Sequence, residues 1–261
     1  MVSVRAKCYR YLSRIERLIQ NIMKLKMTHI AALAAISLFG SATAASIYTD
    51  TLIGSGTPLN GTVADTSSSF AGGTVGATWT AGAVNETVTG AVYTGGQSGF
   101  LPVTITSGFV YTLQATVNST VDWVALGFSD ATGDGQWNST NNKSAWALVR
   151  PSGGGAPAFF GGPATNFGQT WTSTAEGNQT LTITLDTTSP AWKTFASIGG
   201  VDSATYTYAV NPTISYVGFG QTVAEGSVST VTNFSLSAIP EPSAAILGAF
   251  GALALLRRRR A

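Results

Sequence analysis

The sequence predicts an all-β protein, a two-sheet antiparallel sandwich flanked by an N-terminal signal helix and a C-terminal transmembrane helix. Three observations predict it. Charged residues make up only 10% of the 261 positions while Gly contributes 30, a mix poor for helices and suited to strands and turns. Between residues 46 and 238, short apolar segments are separated by Gly, Pro, Asn and Ser clusters, with no internal repeat, long linker or amphipathic helix. The two apolar runs of helical character lie outside that stretch, each beside a cluster of basic residues.

At the N-terminus, Lys24 and Lys26 precede the apolar run Ile30–Phe39, and Gly40-Ser-Ala42-Thr-Ala44-Ala45 follows. This is the order of a secretory signal peptide, and Ala42-x-Ala44 places cleavage after Ala44 or Ala45. The run is too short for a stable membrane span. Residues 1–22 are unusual for such a segment; Met23 or Met27 would make a more ordinary start, and a long basic leader is the alternative.

Within 46–238 the clearest strands alternate with period two. Phe109–Val117 puts Phe109, Tyr111, Leu113, Ala115 and Val117 on one face, and Gln179–Leu185 does the same with Leu181, Ile183 and Leu185. Val231–Ser237 groups Phe234 and Leu236 with Thr232. Asp122–Phe128, Ala145–Val149 and Ile214–Phe219 are continuously apolar and read as central strands covered on both faces. Weaker strands are expected near Ile47–Thr51, Ala77–Thr80, Ala91–Tyr93, Thr194–Ile198 and Thr205–Tyr208.

At the C-terminus, Pro240-Glu241-Pro242 precedes an apolar helix expected over Ser243–Leu256, and Arg257, Arg258, Arg259 and Arg260 follow. The prolines keep a helix from starting earlier. Fourteen residues span roughly 21 Å, less than the ~30 Å hydrocarbon core, so snorkelling arginines or a thinner bilayer would be needed. The arginines hold that end on the cytoplasmic side. The chain thus divides into a signal peptide over 1–45, a β-sandwich over 46–238 and a tail over 239–261.

Composition excludes several functions. The stretch 46–240 holds three Lys/Arg against ten Asp/Glu, a net near −7, so no basic footprint for nucleic acid exists. The only Cys and His, Cys8 and His29, precede the expected cleavage site. The mature domain therefore has no disulfide, no Cys or His metal ligand and no His-activated nucleophile.

The motif Pro240, Glu241, Pro242 with its apolar helix and arginine cluster resembles the PEP-CTERM sorting tail of exported Gram-negative proteins, of the verrucomicrobial type. The resemblance implies recognition by an exosortase-type processing enzyme, transient membrane anchoring and release to the envelope or extracellular matrix. More loosely, the Tyr111 strand, Trp123–Phe128, Leu181–Asp186 and Tyr216–Gly220 resemble concanavalin-like jelly-roll domains of the laminin-G and legume-lectin kind. That implies a jelly-roll-like sandwich and a structural, adhesive or polysaccharide-binding role.

Candidate chemistry is sparse. Asp130, Thr132 and Asp134, followed by Gly135, partly match a Ca²⁺ loop, with Asn141 where a bidentate Glu is expected and Asn138 and Asn142 as further oxygens. The same residues also make an ordinary polar hairpin tip. Among Trp137, Trp146, Trp171 and Trp192, the first and third sit in Gly/Asn/Thr-rich surroundings and are the candidates for stacking on a sugar; core packing is the alternative for both. A jelly-roll hydrolase or lyase is the alternative function. A glycosidase needs two carboxylates at a set separation, yet none of Glu86, Glu176 and Glu225 has an acid two residues on. No catalytic residue is assigned, and the protein is expected not to be an enzyme.

Overall fold

A computed structural model of the chain describes residues 43–93, 97–120, 123–133, 135–137, 141–142, 144–150, 158–162, 165–170, 177–221 and 229–241. The expected signal helix and the tail helix 243–256 lie outside the described residues. Among those described there is no α-helix, one 3-10 turn at Phe70–Gly72, and no helix long and apolar enough to cross a membrane.

In chain order the strands are β1 (Ala45–Asp50), β2 (Thr57–Pro58), β3 (Thr66–Ser67), β4 (Thr80–Ala81), β5 (Val84–Thr87), β6 (Gly90–Tyr93), β7 (Gln97–Pro102), β8 (Phe109–Asn118) and β9 (Val124–Ser129). There follow β10 (Trp146–Val149), β11 (Ala158–Gly162), β12 (Thr165–Thr170), β13 (Gln179–Asp186), β14 (Lys193–Ile198), β15 (Val201–Asp202), β16 (Tyr206–Thr207), β17 (Tyr216–Gln221) and β18 (Thr230–Pro240). They form two antiparallel sheets. The larger has the order β15-β14-β13-β8-β18-β6-β5-β2, with β1 beside β18, β3 beside β1 and β16 beside β14; the smaller runs β12-β11-β10-β9-β17-β7-β4.

The period-two strands behave as their patterns require. β8 buries Tyr111, Leu113, Ala115 and Val117 and turns Thr112, Gln114 and Thr116 outward; β13 buries Leu181, Ile183 and Leu185. Every residue of β9 and β10 is buried, as expected for apolar runs covered on both faces. Between the sheets, Trp79 meets Phe219 of β17 and Phe234 of β18 edge-on, at 5.2 and 5.0 Å between ring centroids. Its indole Nε1 donates to Asp50 Oδ2 at 2.7 Å, and Asp50 Oδ1 accepts from Leu52 N at 2.8 Å.

Two expectations are corrected in β18. Thr232 does not share the face of Phe234 and Leu236: the register slips between Thr232 and Ser235, so Val231 enters the core and Thr232 turns outward. A β-bulge resets the alternation, with Asn233 in the left-handed region at φ 51°. The strand also continues past residue 238. Pro240 pairs with Phe109, and Glu241 N donates to Gly108 O at 2.8 Å, so the compact unit spans Ala44–Glu241. Proline fits there because the end of a strand needs no further ladder donor.

Candidate functional site

On the smaller sheet, successive residues alternate between the inter-sheet core and the outer face. Val124, Leu126, Phe128, Val217 and Phe219 point inward, which leaves Ala125, Gly127, Gly218 and Gly220 outward. A second apolar cluster covers that outer face. It consists of Phe100, Ala125, Trp137, Trp146, Leu148, Ala158 and Phe160, with Trp123 and Tyr216 packed against it.

The glycines make room for it. A methyl group on Gly220 would stand 1.9 Å from Trp137 Cδ1, and one on Gly127 would stand 2.3 Å from Trp146 Cβ and 2.8 Å from Trp137 Cζ3. The Trp137 ring thus lies directly on the backbone of β9 and β17. It is parallel to Phe100, with centroids 5.5 Å apart and planes at 9°, while Trp146 stacks on Phe160 at 4.0 Å and 10°. The two stacks meet where Trp137 and Trp146 approach to 6.3 Å.

Three polar groups within this apolar layer have no hydrogen-bond partner among the described residues: Trp137 Nε1, Trp146 Nε1 and Ser98 Oγ. Trp137 is 4% exposed, Trp146 2% and Ser98 2%. Leaving one such donor unpaired costs about 1–3 kcal/mol, so three on one face is a notable concentration. Ser98 Oγ and Trp137 Nε1 lie 3.0 and 2.2 Å from the same point, the position a Gly220 Cβ would take. They therefore converge on one spot.

Trp137, a candidate for stacking on a sugar with core packing as the alternative, is buried against the sheet, and the polar neighbours in sequence hold the loop after β9 in place. Ser129 Oγ donates to Ala131 O at 2.7 Å, Asn141 Nδ2 to Gly135 O at 2.9 Å, and Asn142 Nδ2 to Phe128 O at 2.9 Å. In the expected Ca²⁺ loop, Asp130 is exposed and Thr132 half-buried, while Asp134 lies outside the described residues. Asn141 and Asn142 use their amides to hold the loop. Among the described residues no group of three or more acidic, His or Cys side chains is placed to hold a metal ion. Trp171, Ala42, Pro242 and Arg257–Arg260 also lie outside the described residues. Ala44 is exposed just ahead of β1, and Ala45 is the first residue of that strand.

Sequence reasoning missed Ser98, Phe100 and Phe160. The available signal was glycine at alternate positions of apolar strands, Gly127, Gly218 and Gly220, which marks close approach of another group to the backbone.

The acidic groups gather elsewhere. Burial raises Asp50 above the ordinary carboxylate range, opposed by its bonds from Trp79 and Leu52; burial likewise raises Glu86, aided by the charges of Asp50 and Asp65. No Asp or Glu occupies an outward position of β7, β9, β10 or β17.

No family model matches the chain, and no curated protein matches it. Among solved structures, the Emp47p carbohydrate recognition domain aligns at 12% identity with a TM-score of 0.47, covering 77% of this chain and 99% of that one. The endo-1,3-beta-glucanase from Streptomyces sioyaensis aligns at 12% identity and a TM-score of 0.42, over 77% and 98% of the two chains. Lectin II from Ulex europaeus aligns at 14% and 0.41, over 62% and 92%. At these scores the likeness goes no further than a two-sheet β architecture.

Proposed function

We propose that the chain is an exported, non-enzymatic carbohydrate-binding sandwich, retained in the envelope or extracellular matrix in a structural or adhesive role. The observation that supports it most directly is the aromatic layer on the outer face of the smaller sheet, with Trp137 Nε1, Trp146 Nε1 and Ser98 Oγ unpaired inside it. Sugars offer what this layer lacks. Their ring hydroxyls accept from indole N–H groups, and their C–H faces pack on aromatic rings. Entry requires the Trp137 ring to swing off Gly127 and Gly220, so binding is coupled to movement of the loop that carries it. The outward strand positions bring no pair of carboxylates, which favours a binder over a hydrolase. No cation is needed for this reading. Delivery is assigned to the signal peptide and to the tail at 239–261, with an exosortase-type enzyme as the processing partner.

The test uses the purified full chain, soluble neutral oligosaccharides and tryptophan emission. Binding should shift the emission, and Trp137→Phe, which keeps an aromatic ring and removes the N–H, should weaken affinity about 5- to 10-fold, near 1–1.4 kcal/mol. No new reducing ends should appear. Sustained release of reducing sugar would instead establish the hydrolase alternative, and an unchanged emission with every glycan would sink the binding role.

A further inference from the structure

The outer face of the larger sheet carries a second, different surface. Across six strands the register lines up Ser197, Thr182, Gln114, Ser235, Thr49 and Thr66 in one row. A parallel row contains Phe195, Thr184, Thr112, Ser237 and Ser46, and a third contains Thr180, Thr116 and Thr232. These positions are half-buried or exposed and uncharged, and the first row continues past Ser197 to the exposed Asp202 of β15. Lys193 and Asp186, which pair with each other, stand at the far end of β13 and β14. At 4.7–4.9 Å between strands, the six-strand row is about 24 Å long.

Two shallow depressions interrupt this face along the same strand pair. One, of about 340 Å³, is lined by Thr49, Gln114, Asn233 and Ser235 together with the carboxylates Asp50 and Asp65; the other, of about 390 Å³, is lined by Thr89, Asn118, Asn178 and Thr230. Gln114 and Asn118 are four residues apart on β8, so the depressions lie roughly 13 Å from each other. Asn233, at the register shift between Thr232 and Ser235, lines the first of them.

We propose that this hydroxyl- and amide-lined face docks an extended neutral polysaccharide chain, laid along the β8–β18 pair through both depressions. The proposal rests on the carbohydrate reading above and adds a surface and a ligand class to it. Protein partners are disfavoured because the three rows carry a single aromatic, the half-buried Phe195, and no Arg, where protein interfaces cluster such anchors. Polyanionic glycans are disfavoured because the one cation of this face among the described residues, Lys193, stands beside Asp186 at its far end, and the domain carries a net charge near −7. What remains matched is a polymer that donates and accepts hydrogen bonds at many weak points, which the repeated Thr, Ser, Asn and Gln side chains do in both directions.

The experiment is co-sedimentation of the full chain with insoluble cellulose, with insoluble β-1,3-glucan and with alginate beads, beside the soluble-oligosaccharide assay. The wild type should sediment with a neutral polymer and not with alginate. Gln114→Glu combined with Thr182→Asp should lower sedimentation at least tenfold and leave the tryptophan emission response to oligosaccharides unchanged. Thr182→Ser should retain it, and Thr116→Lys serves as an independent disruption if the acidic pair fails to fold. Wild-type sedimentation by all disrupted variants, or preferential capture by alginate, overturns the proposal while the smaller-sheet site stands. Loss of both sedimentation and emission response in the wild type removes the carbohydrate reading itself, and this surface with it.

Discussion

Asp50 is the residue whose chemistry most constrains the domain. It is 4% exposed, and both carboxylate oxygens accept from N–H donors, Leu52 N and Trp79 Nε1. A neutral side chain cannot serve both donors equally, so Asp50→Asn should cost about 1–3 kcal/mol through the donor left unpaired. Its pH dependence runs opposite to that of a salt-bridged acid. Burial raises the folded value of Asp50, and Glu86 shifts the same way. Between the ordinary carboxylate range near 4 and those raised values, the folded state holds more protons than the unfolded state, and stability falls as pH rises. Stability from this source is greatest below that window. Denaturant melts from pH 4 to pH 8 should therefore show a downward slope that Asp50→Asn reduces. A stability that climbs through the window, or a slope untouched by Asp50→Asn, would refute the assignment.

At the scale of the element, β18 departs furthest from its sequence pattern. Simple alternation groups Thr232 with Phe234 and Leu236, and the bulge breaks that grouping. Asn233 takes φ 51°, and its N donates to Thr51 O at 3.2 Å, tying the bulge to the end of β1. Asn tolerates the left-handed region better than most side chains, whereas a β-branched residue does not. Asn233→Val should destabilise by about 1–3 kcal/mol, and Asn233→Gly should stay close to wild type. Equal melting temperatures for the two variants would show that the bulge imposes no backbone requirement. The continuously apolar strands β9, β10 and β17 make the complementary point. Their patterns correctly announced two covered faces, but not that one cover is the inter-sheet core and the other an aromatic layer supplied partly by a loop.

At the scale of the whole molecule, the first and last strands are neighbours: Ala45 pairs with Ala238, and β18 lies between β8 and β1. The larger sheet is thus completed only when the last strand of the domain is in place, a long-range pairing with a high closure cost. β1 begins at Ala45, immediately after the expected processing site, so removal of the leader there leaves the strand whole or shortens it by one residue. N-terminal sequencing of exported material should find Ala45 or Ser46 first. A terminus that still includes Lys24 or Ile30 would sink the signal-peptide reading.

The sequence by itself determined the all-β class, the inward faces of β8 and β13, the strands covered on both sides and the acidic character of the domain. Each depends on local periodicity or composition, which the chain carries without reference to its partners. Tertiary structure decided what depends on register and loop path. Trp137 has polar neighbours in sequence that leave stacking on a ligand and core packing both open, and the loop after β9 lays it over Gly127 and Gly220, where only the absence of side chains on two separate strands makes room. Ser98, Phe100 and Phe160 join it from strands distant in sequence, and no local pattern links them. The hydroxyl rows of the larger sheet arise the same way. Thr and Ser alternate legibly along each strand, but their alignment into rows across six strands is a property of pairing register, which exists only once the sheet has formed.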